Sequence, residues 1–321
     1  MHIRSRLLTL AAALLAATQA LAADRLTLHI GDQKGNMRAQ LEAADALRDL
    51  PYDIDWAEFP AAAPLAEALN AGAIDAGIIG DAPLLFVLAS GAPVKAIAVD
   101  KSDPYGTALL VRPDAPLHRA AELKGKRIAT GRGSIGHHLA LKALDQAGLS
   151  EKDVELRFLG PVDAKIALAN GSVDAWSTWE PYTALAESSG QGRVLVNGRG
   201  LSSGNSFLAA TDKALEDPAR RAALQDYLKR LASAQVWAYQ HLDSYSSTLA
   251  KIIGFPQDAA RLQFERRKLR WQGIDAKTIA EQQETADFYH AHGLMKERLD
   301  VAPTFARGFS VPHADAVATQ P

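Results

Sequence analysis

The stretch ATGRGSIGHHLALKAL, Ala129 to Leu144, joins a β-like end to a helical pattern through glycines, one Arg and Ser134. The first four N–H groups of a helix have no internal partner, and the helix dipole makes that end attractive to anions. Gly133, Ser134 and the N–H groups of Ile135, Gly136 and His137 are therefore candidates for holding the oxygens of an anion. A second job fits the same residues: Ser134 caps its own helix while Gly131 and Gly133 ease the turn. Ser134 and His137 could also be drawn as nucleophile and base, but no third group orients them, and a Ser that caps a helix is poorly placed to attack. His137 and His138 are adjacent, so they face different ways and cannot form an i, i+4 metal pair. The chain has no Cys. No H-E-x-x-H motif occurs, and the one G-x-S-x-G run, Gly200 to Gly204, is not followed by the helical pattern that a nucleophile elbow needs. The residues therefore predict no catalytic group, no metal and no cofactor.

Two further stretches carry polar and aromatic groups on strand-end loops. ALNAGAIDAGIIGDAP and ALANGSVDAWSTWEP match at Ala68/Ala167, Leu69/Leu168, Gly72/Gly171, Asp75/Asp174 and Ala76/Ala175, a constant offset of 99 residues. Each reads as a helix end, a Gly stop, a buried strand and a loop closed by Pro. The same offset brings Gly80-Asp81 onto Trp179-Glu180. Upstream, IGDQKGN and IATGRGS are both strand ends followed by a glycine loop and a helix start. Packing alone could make such units alike; otherwise the chain holds two similar lobes, each offering one loop–helix start and one strand-end loop.

Short β-type runs alternate with helical patterns from RLTLHIG onward, which predicts parallel α/β sheets. From about Glu216 the pattern is nearly all helical. Ligands of such sheets lie beyond the carboxyl ends of the strands. Four loops would then meet in one cleft: Gln33 to Asn36, Gly80 to Pro83, Gly131 to His137 and Trp176 to Tyr182. In that cleft Gln33, Asn36, Gly80 and Ala82 supply the wall opposite Ser134. Asp81 and Glu180 repel an anion, and capping the next helix is the plainest role for Asp81. Trp176 and Trp179 offer an apolar wall, although one of them, Trp176, could equally be core.

Residues 1–22 carry Arg4 and Arg6, an apolar run from Leu7 to Ala17 and the small-residue pattern Ala20-Leu21-Ala22. The run is too short to span a bilayer, so it predicts a cleavable export signal and a periplasmic mature chain. Cleavage after Ala22 leaves 33 basic against 37 acidic residues. Such a balance gives no support to nucleic-acid binding. With 48% hydrophobic residues, about 300 residues are enough for two lobes.

The stretches IGDQKGN, EFPAAAPLAEALNAGAIDAGIIGDAP, AELKGKRIATGRGSIGHHLALKALDQAGL, DAKIALANGSVDAWSTWEP and FERRKLRWQGID resemble the periplasmic substrate-binding proteins of ABC transporters for sulfonates, nitrate and taurine, above all the aliphatic sulfonate binders. That resemblance implies a type II periplasmic binding protein fold: two α/β lobes, joined by two crossings near GTALLVRP and NSFLAATD, closing on a ligand cleft. Lobe one would comprise 24–110 plus 207–300 and lobe two 111–206, with a C-terminal tail at 301–321. The implied ligand is a small organic anion, an aliphatic sulfonate first, with sulfate esters, aromatic sulfonates, taurine or nitrate behind. An inner-membrane ABC permease with its ATPase would be the partner, and the binder a monomer. Asn205 and Phe207 lie at the second crossing, where hinge residues touch ligand. Arg266 and Arg267 match a basic pair of the family; one of them, with Arg267 the candidate, would reach the cleft as a bidentate partner, and a solvated helix face is the other reading of the pair. An enzyme on the same fold is the rival reading, which turnover would separate from binding.

Overall fold

The computed structural model describes residues 25–312. The export signal expected at 1–22 lies outside them, as do residues 313–321 of the expected tail. The chain begins with β1 (Thr27–Gln33), α1 (Asn36–Ala43), β2 (Asp53–Phe59), α2 (Ala62–Asn70), β3 (Ala76–Gly80), α3 (Asp81–Ala89) and β4 (Val94–Lys101). It continues with β5 (Ala108–Val111), β6 (Arg127–Thr130), α4 (Ile135–Gln146), β7 (Glu155–Phe158), α5 (Pro161–Ala169), β8 (Ala175–Thr178), α6 (Tyr182–Ser188) and β9 (Arg193–Asn197). After β10 (Asn205–Thr211) come α7 (Asp212–Glu216), α8 (Pro218–Gln240), α9 (Leu242–Ile253), α10 (Gln257–Arg267), the short β11 (Arg270–Gln272) and α11 (Ala276–Ala291).

Two sheets result, ordered β11-β4-β10-β3-β1-β2 and β7-β6-β8-β5-β9. The second repeats the plan of the first. In each, three parallel strands lie in the order second, first, third, and an antiparallel strand follows: β10 beside β3, and β5 beside β8. The matched residues of the sequence repeat do the same work in both. The Asp75 carboxylate accepts from the His29 N–H at the start of β1, and Asp174 accepts from the Arg127 N–H at the start of β6, both at 2.9 Å. Each Asp also meets a guanidinium, that of Arg220 and that of Arg127. Gly72 and Gly171 end α2 and α5 at φ 66° and 75°, the left-handed region where a side chain is costly.

The central strands of both sheets are buried on both faces, which is why they read as apolar runs. Leu28, Ile30, Ile78 and Leu208 pack against Leu224, Leu228 and Leu231 of α8. The other face of the first sheet meets Leu65 and Leu69 of α2, Leu84 of α3 and Tyr289 of α11. In the second sheet Trp176, 1% exposed, packs with α5 and α6, while Ile128 and Ala175 meet Leu144 of α4. Full burial of each such Leu or Ile contributes about 2 kcal/mol. Asp217 starts the 23-residue α8 by accepting from the N–H groups of Ala219 and Arg220, with Pro218 in the first turn.

The chain crosses between sheets twice, at 102–107 and 198–204. β5 lies wholly in the second sheet, so the first crossing precedes residue 108, and the expected lobe boundary at 110 falls inside a strand. Asn205 and Ser206 already belong to β10 of the first sheet. The crossings run side by side: Ser102 donates from its N–H and its hydroxyl to the Gly204 carbonyl, at 2.9 and 2.7 Å. A Cβ at Gly204, φ 74°, would stand 2.2 Å from the Ser102 carbonyl oxygen. No other residue fits there without moving the hinge.

Candidate functional site

Between the lobes lies a cavity whose rim is built from strand ends and crossings, including Gln33, Asn36, Gly80, Ser134, Trp179 and Asn205. Four helix N-termini border it, those of α1, α2, α3 and α4, and they are not equivalent. That of α1 is filled by the chain's own Asp32, whose carboxylate accepts from Met37 and Arg38 at 2.9 and 2.8 Å. That of α3 begins with Asp81, which accepts from the Ala82 N–H at 2.7 Å and from the Ser203 hydroxyl at 2.6 Å, and Pro83 has no N–H to offer. That of α2, entered through Ala61 and Ala62, has no side-chain cap, whereas α4 is capped by a neutral hydroxyl. Ser134 Oγ accepts from the His137 N–H at 3.1 Å, leaving its own proton free. No hydrogen bond among the described residues uses the N–H groups of Ile135 or Gly136.

The carboxylates around this end are held by partners of their own. Glu180, 9% exposed, is paired with Arg266, which also holds Glu187. Asp103 is clasped by Arg199, whose two nitrogens stand 2.8 and 2.6 Å from its oxygens and hold its carboxyl below the usual range. Burial pushes the Asp81 carboxyl up. Lys34 and Arg267 also line the cavity and form no ion pair among the described residues. Lys34 has a left-handed backbone, φ 53°, a conformation that costs a non-glycine residue about 1–2 kcal/mol and gathers at functional sites. Donors on one lobe and unpaired cations on the other suit one small anion held between them.

The family model described as NMT1/THI5 like matches residues 53–230. This chain belongs to that family. The alkanesulfonate-binding protein SsuA of Xanthomonas axonopodis pv. citri, solved bound to MOPS, is 34% identical, with a TM-score of 0.82 over 89% of this chain and all of that one. The periplasmic aliphatic sulphonate binding protein of Escherichia coli is 32% identical, with a TM-score of 0.80 over 89% of this chain and 94% of that one. These neighbours carry the periplasmic binding fold expected from the resemblance. The desulfurization enzyme DszB has the same fold at 19% identity and a TM-score of 0.62, over 92% of this chain and 99% of that one.

Within this family member, Gln33, Asn36, Gly80, Asp81, Ser134, Ile135, Trp179, Glu180, Asn205 and Arg267 surround the cavity. Gln33 already donates to the Ile78 carbonyl at 2.6 Å, and Asn205 to Glu281 at 2.8 Å. Other expected residues stand elsewhere. Ala82 is fully buried against the first sheet, and Phe207 with it. Trp176 is core of the second lobe. Gly133 and His137 line a neighbouring groove, and the Gly133 N–H is spent on His137 Nδ1 at 3.2 Å. Arg266 lines neither the cavity nor a solvated face: it is a buried ion-pair partner of Glu180 and Glu187. Sequence reasoning missed Lys34 and the hydroxyl-rich floor of Ser102, Thr107, Ser202 and Ser206. The run GLSSGNSF at the second crossing was its only visible sign. Among the described residues no group of His, Asp or Glu could hold a metal ion.

Proposed function

We propose that this protein is the periplasmic solute-binding component of an ABC importer, a monomer that binds one organic sulfonate and delivers it to an inner-membrane permease with its ATPase. The observation that carries the reading is the N-terminus of α4, where the neutral Ser134 hydroxyl and the unbonded N–H groups of Ile135 and Gly136 meet with no carboxylate among them. A sulfonate has three acceptor oxygens and no proton to give near neutral pH. Ser134 and the N–H groups of Ile135 and Gly136 supply donors from lobe two; Lys34 and Arg267 supply charge from lobe one. Bridging both lobes, the anion raises the population of the closed state only through contacts that both make. The sulfonate-binding relatives support the ligand class, and the leader-like residues 1–22 support export. The permease would then read the closed pair of lobes.

Binding rather than turnover fits the site, because Ser134 is committed to capping and has no base: His137 Nδ1 faces the Gly133 N–H. The test is calorimetry and thermal shift on refolded, ligand-free protein with methanesulfonate, taurine, a sulfate ester, an arenesulfonate, nitrate and sulfate. Stabilisation by sulfonates, with each ligand recovered unchanged, is the expected result. Silence across the panel removes the anion reading, and consumption of a ligand replaces the binder with an enzyme.

A further inference from the structure

The cavity is not closed on every side. A second, larger and mostly apolar groove opens from it between the lobes, and the two share Pro60, Ala62, Pro83, Ser134 and Trp179 as walls. On lobe one the groove runs along α2 and α3, past Ala63, Ala66, Phe86 and Val87. On lobe two it is walled by the loops Gly131–Ser134 and Phe158–Pro161, with His137 beneath. Its first wall after the cavity is Ser134 itself, so a group attached to an anion at the α4 N-terminus has an apolar space to enter. Aromatic faces are concentrated here: Trp179 and Phe86 on the walls, and Phe158 with the Arg132 guanidinium 3.7 Å from its ring centroid. His137 Nε2 is buried without a hydrogen-bond partner. Arg132 and Lys34 occupy matching places in the two glycine loops, but Lys34 faces the cavity and Arg132 the groove.

Resting on the anion site proposed above, we infer that the groove seats the organic part of the ligand, and that its occupant is a flat aromatic group, for which a naphthyl ring is the probe. The cavity would then select the sulfonate and the groove the tail. Flat rings suit a slot lined by aromatic faces, where offset or edge contacts add about 0.5–1.5 kcal/mol beyond area burial, converted as about two- to tenfold in affinity.

The experiment compares methanesulfonate, octanesulfonate and naphthalene-2-sulfonate by calorimetry on the full mature chain and on two variants that narrow the groove, Ala63→Trp and Asn70→Trp. Both positions are exposed on α2 and contribute nothing to the core, so both variants fold. For the unaltered protein the naphthyl ligand is expected to bind about tenfold or more tighter than methanesulfonate, and tighter than the octyl chain. In the variants the naphthyl advantage should shrink to about twofold while methanesulfonate binding holds. Equal affinities for methyl and naphthyl ligands, or an advantage that survives both substitutions, overturns the groove but leaves the anion site standing. A preference for the octyl chain overturns the flat occupant. Loss of methanesulfonate binding in step with the naphthyl ligand shows that the substitutions act on the cavity and overturns a separate tail seat. Should even methanesulfonate fail with the unaltered protein, the anion site fails first and the groove loses its occupant with it.

Discussion

Ser134 does two jobs with one oxygen, and each has its own readout. As an N-cap it accepts from the His137 N–H; as a donor its free proton is offered to the cavity. Ser134→Ala removes both. Loss of the cap costs about 1 kcal/mol, a fall in Tm of about 2–4 °C in a chain of this size. A lost hydrogen bond to a charged ligand costs about 1.5–3 kcal/mol, so sulfonate affinity should fall by about tenfold or more. Ser134→Thr, which keeps both roles, should retain affinity and Tm; calorimetry and thermal melts on the two variants check this. The pair also shows how far single residues could be read. Ser134 was legible because a small hydroxyl residue between glycines and a helix has few roles. Asp81, expected to cap the next helix, is instead the first residue of α3 behind Gly80, and its carboxylate is held by the Ser203 hydroxyl of the second crossing, a contact that no local pattern announces. Lys34 was not legible, because a lone Lys in a loop is normally solvated; only the meeting of two lobes gives it a cavity to face. Trp176 and Trp179, three residues apart on one strand end, differ in fate because β8 turns the first into the core and ends before the second.

At the scale of elements, the repeat gave the fold away because its matched residues are structural anchors. Asp75 and Asp174 tie β1 and β6 to the strands beside them, and Gly72 and Gly171 stop the preceding helices. The lobe contacts left no such pattern, since each is made once between segments far apart in sequence. One is the buried cluster of Arg266 on α10 with Glu180 and Glu187 of lobe two. Removing one partner of a buried pair strands the other charge, at a cost of about 3–5 kcal/mol. Arg266→Ala should therefore lower Tm by about 6 °C or more. The double variant Arg266→Ala with Glu180→Gln should recover a large part of that loss, because no bare charge remains at position 180. Thermal melts on both variants decide it: equal Tm values would show that the pair is not stabilising through its charge.

The whole molecule is a pair of lobes clasped on both flanks of the cavity. On one flank Tyr182 donates to the Pro60 carbonyl at 2.9 Å. On the other, the His138 ring of α4 meets Phe288 and Tyr289 of α11, centroids 5.3 and 5.5 Å away. Burial, aided by Lys142, pushes the His138 imidazole down to about 3, and burial pushes His137 down to about 4. An unfolded His titrates near 6.5. Between those values the unfolded chain takes up protons that the folded chain refuses, so these groups cost stability as pH falls from 6.5 towards 4. Each contributes up to about 1.4 kcal/mol per pH unit. Asp32, pushed up to about 7 by burial and by Glu58, has the opposite sign: its folded form keeps a proton that the unfolded chain has released, so it loses stability as pH rises. The His138 share is therefore read as a difference. In melts from pH 7 to 4.5, His138→Phe should lose less Tm than the unaltered protein; parallel curves would remove His138 from the acid response. The order of strands has a different consequence. β10, which lies between β3 and β4, is made after every strand of the second sheet. A chain delivered amino end first completes its second lobe while the first still has a gap at its centre, with the edges of β3 and β4 bare. Folding therefore finishes in the reverse of the order of synthesis. A fragment ending at Asn197 should resist protease over residues 108–197 and be digested over 25–101; protection of both parts would show that the first lobe can assemble without its missing strand.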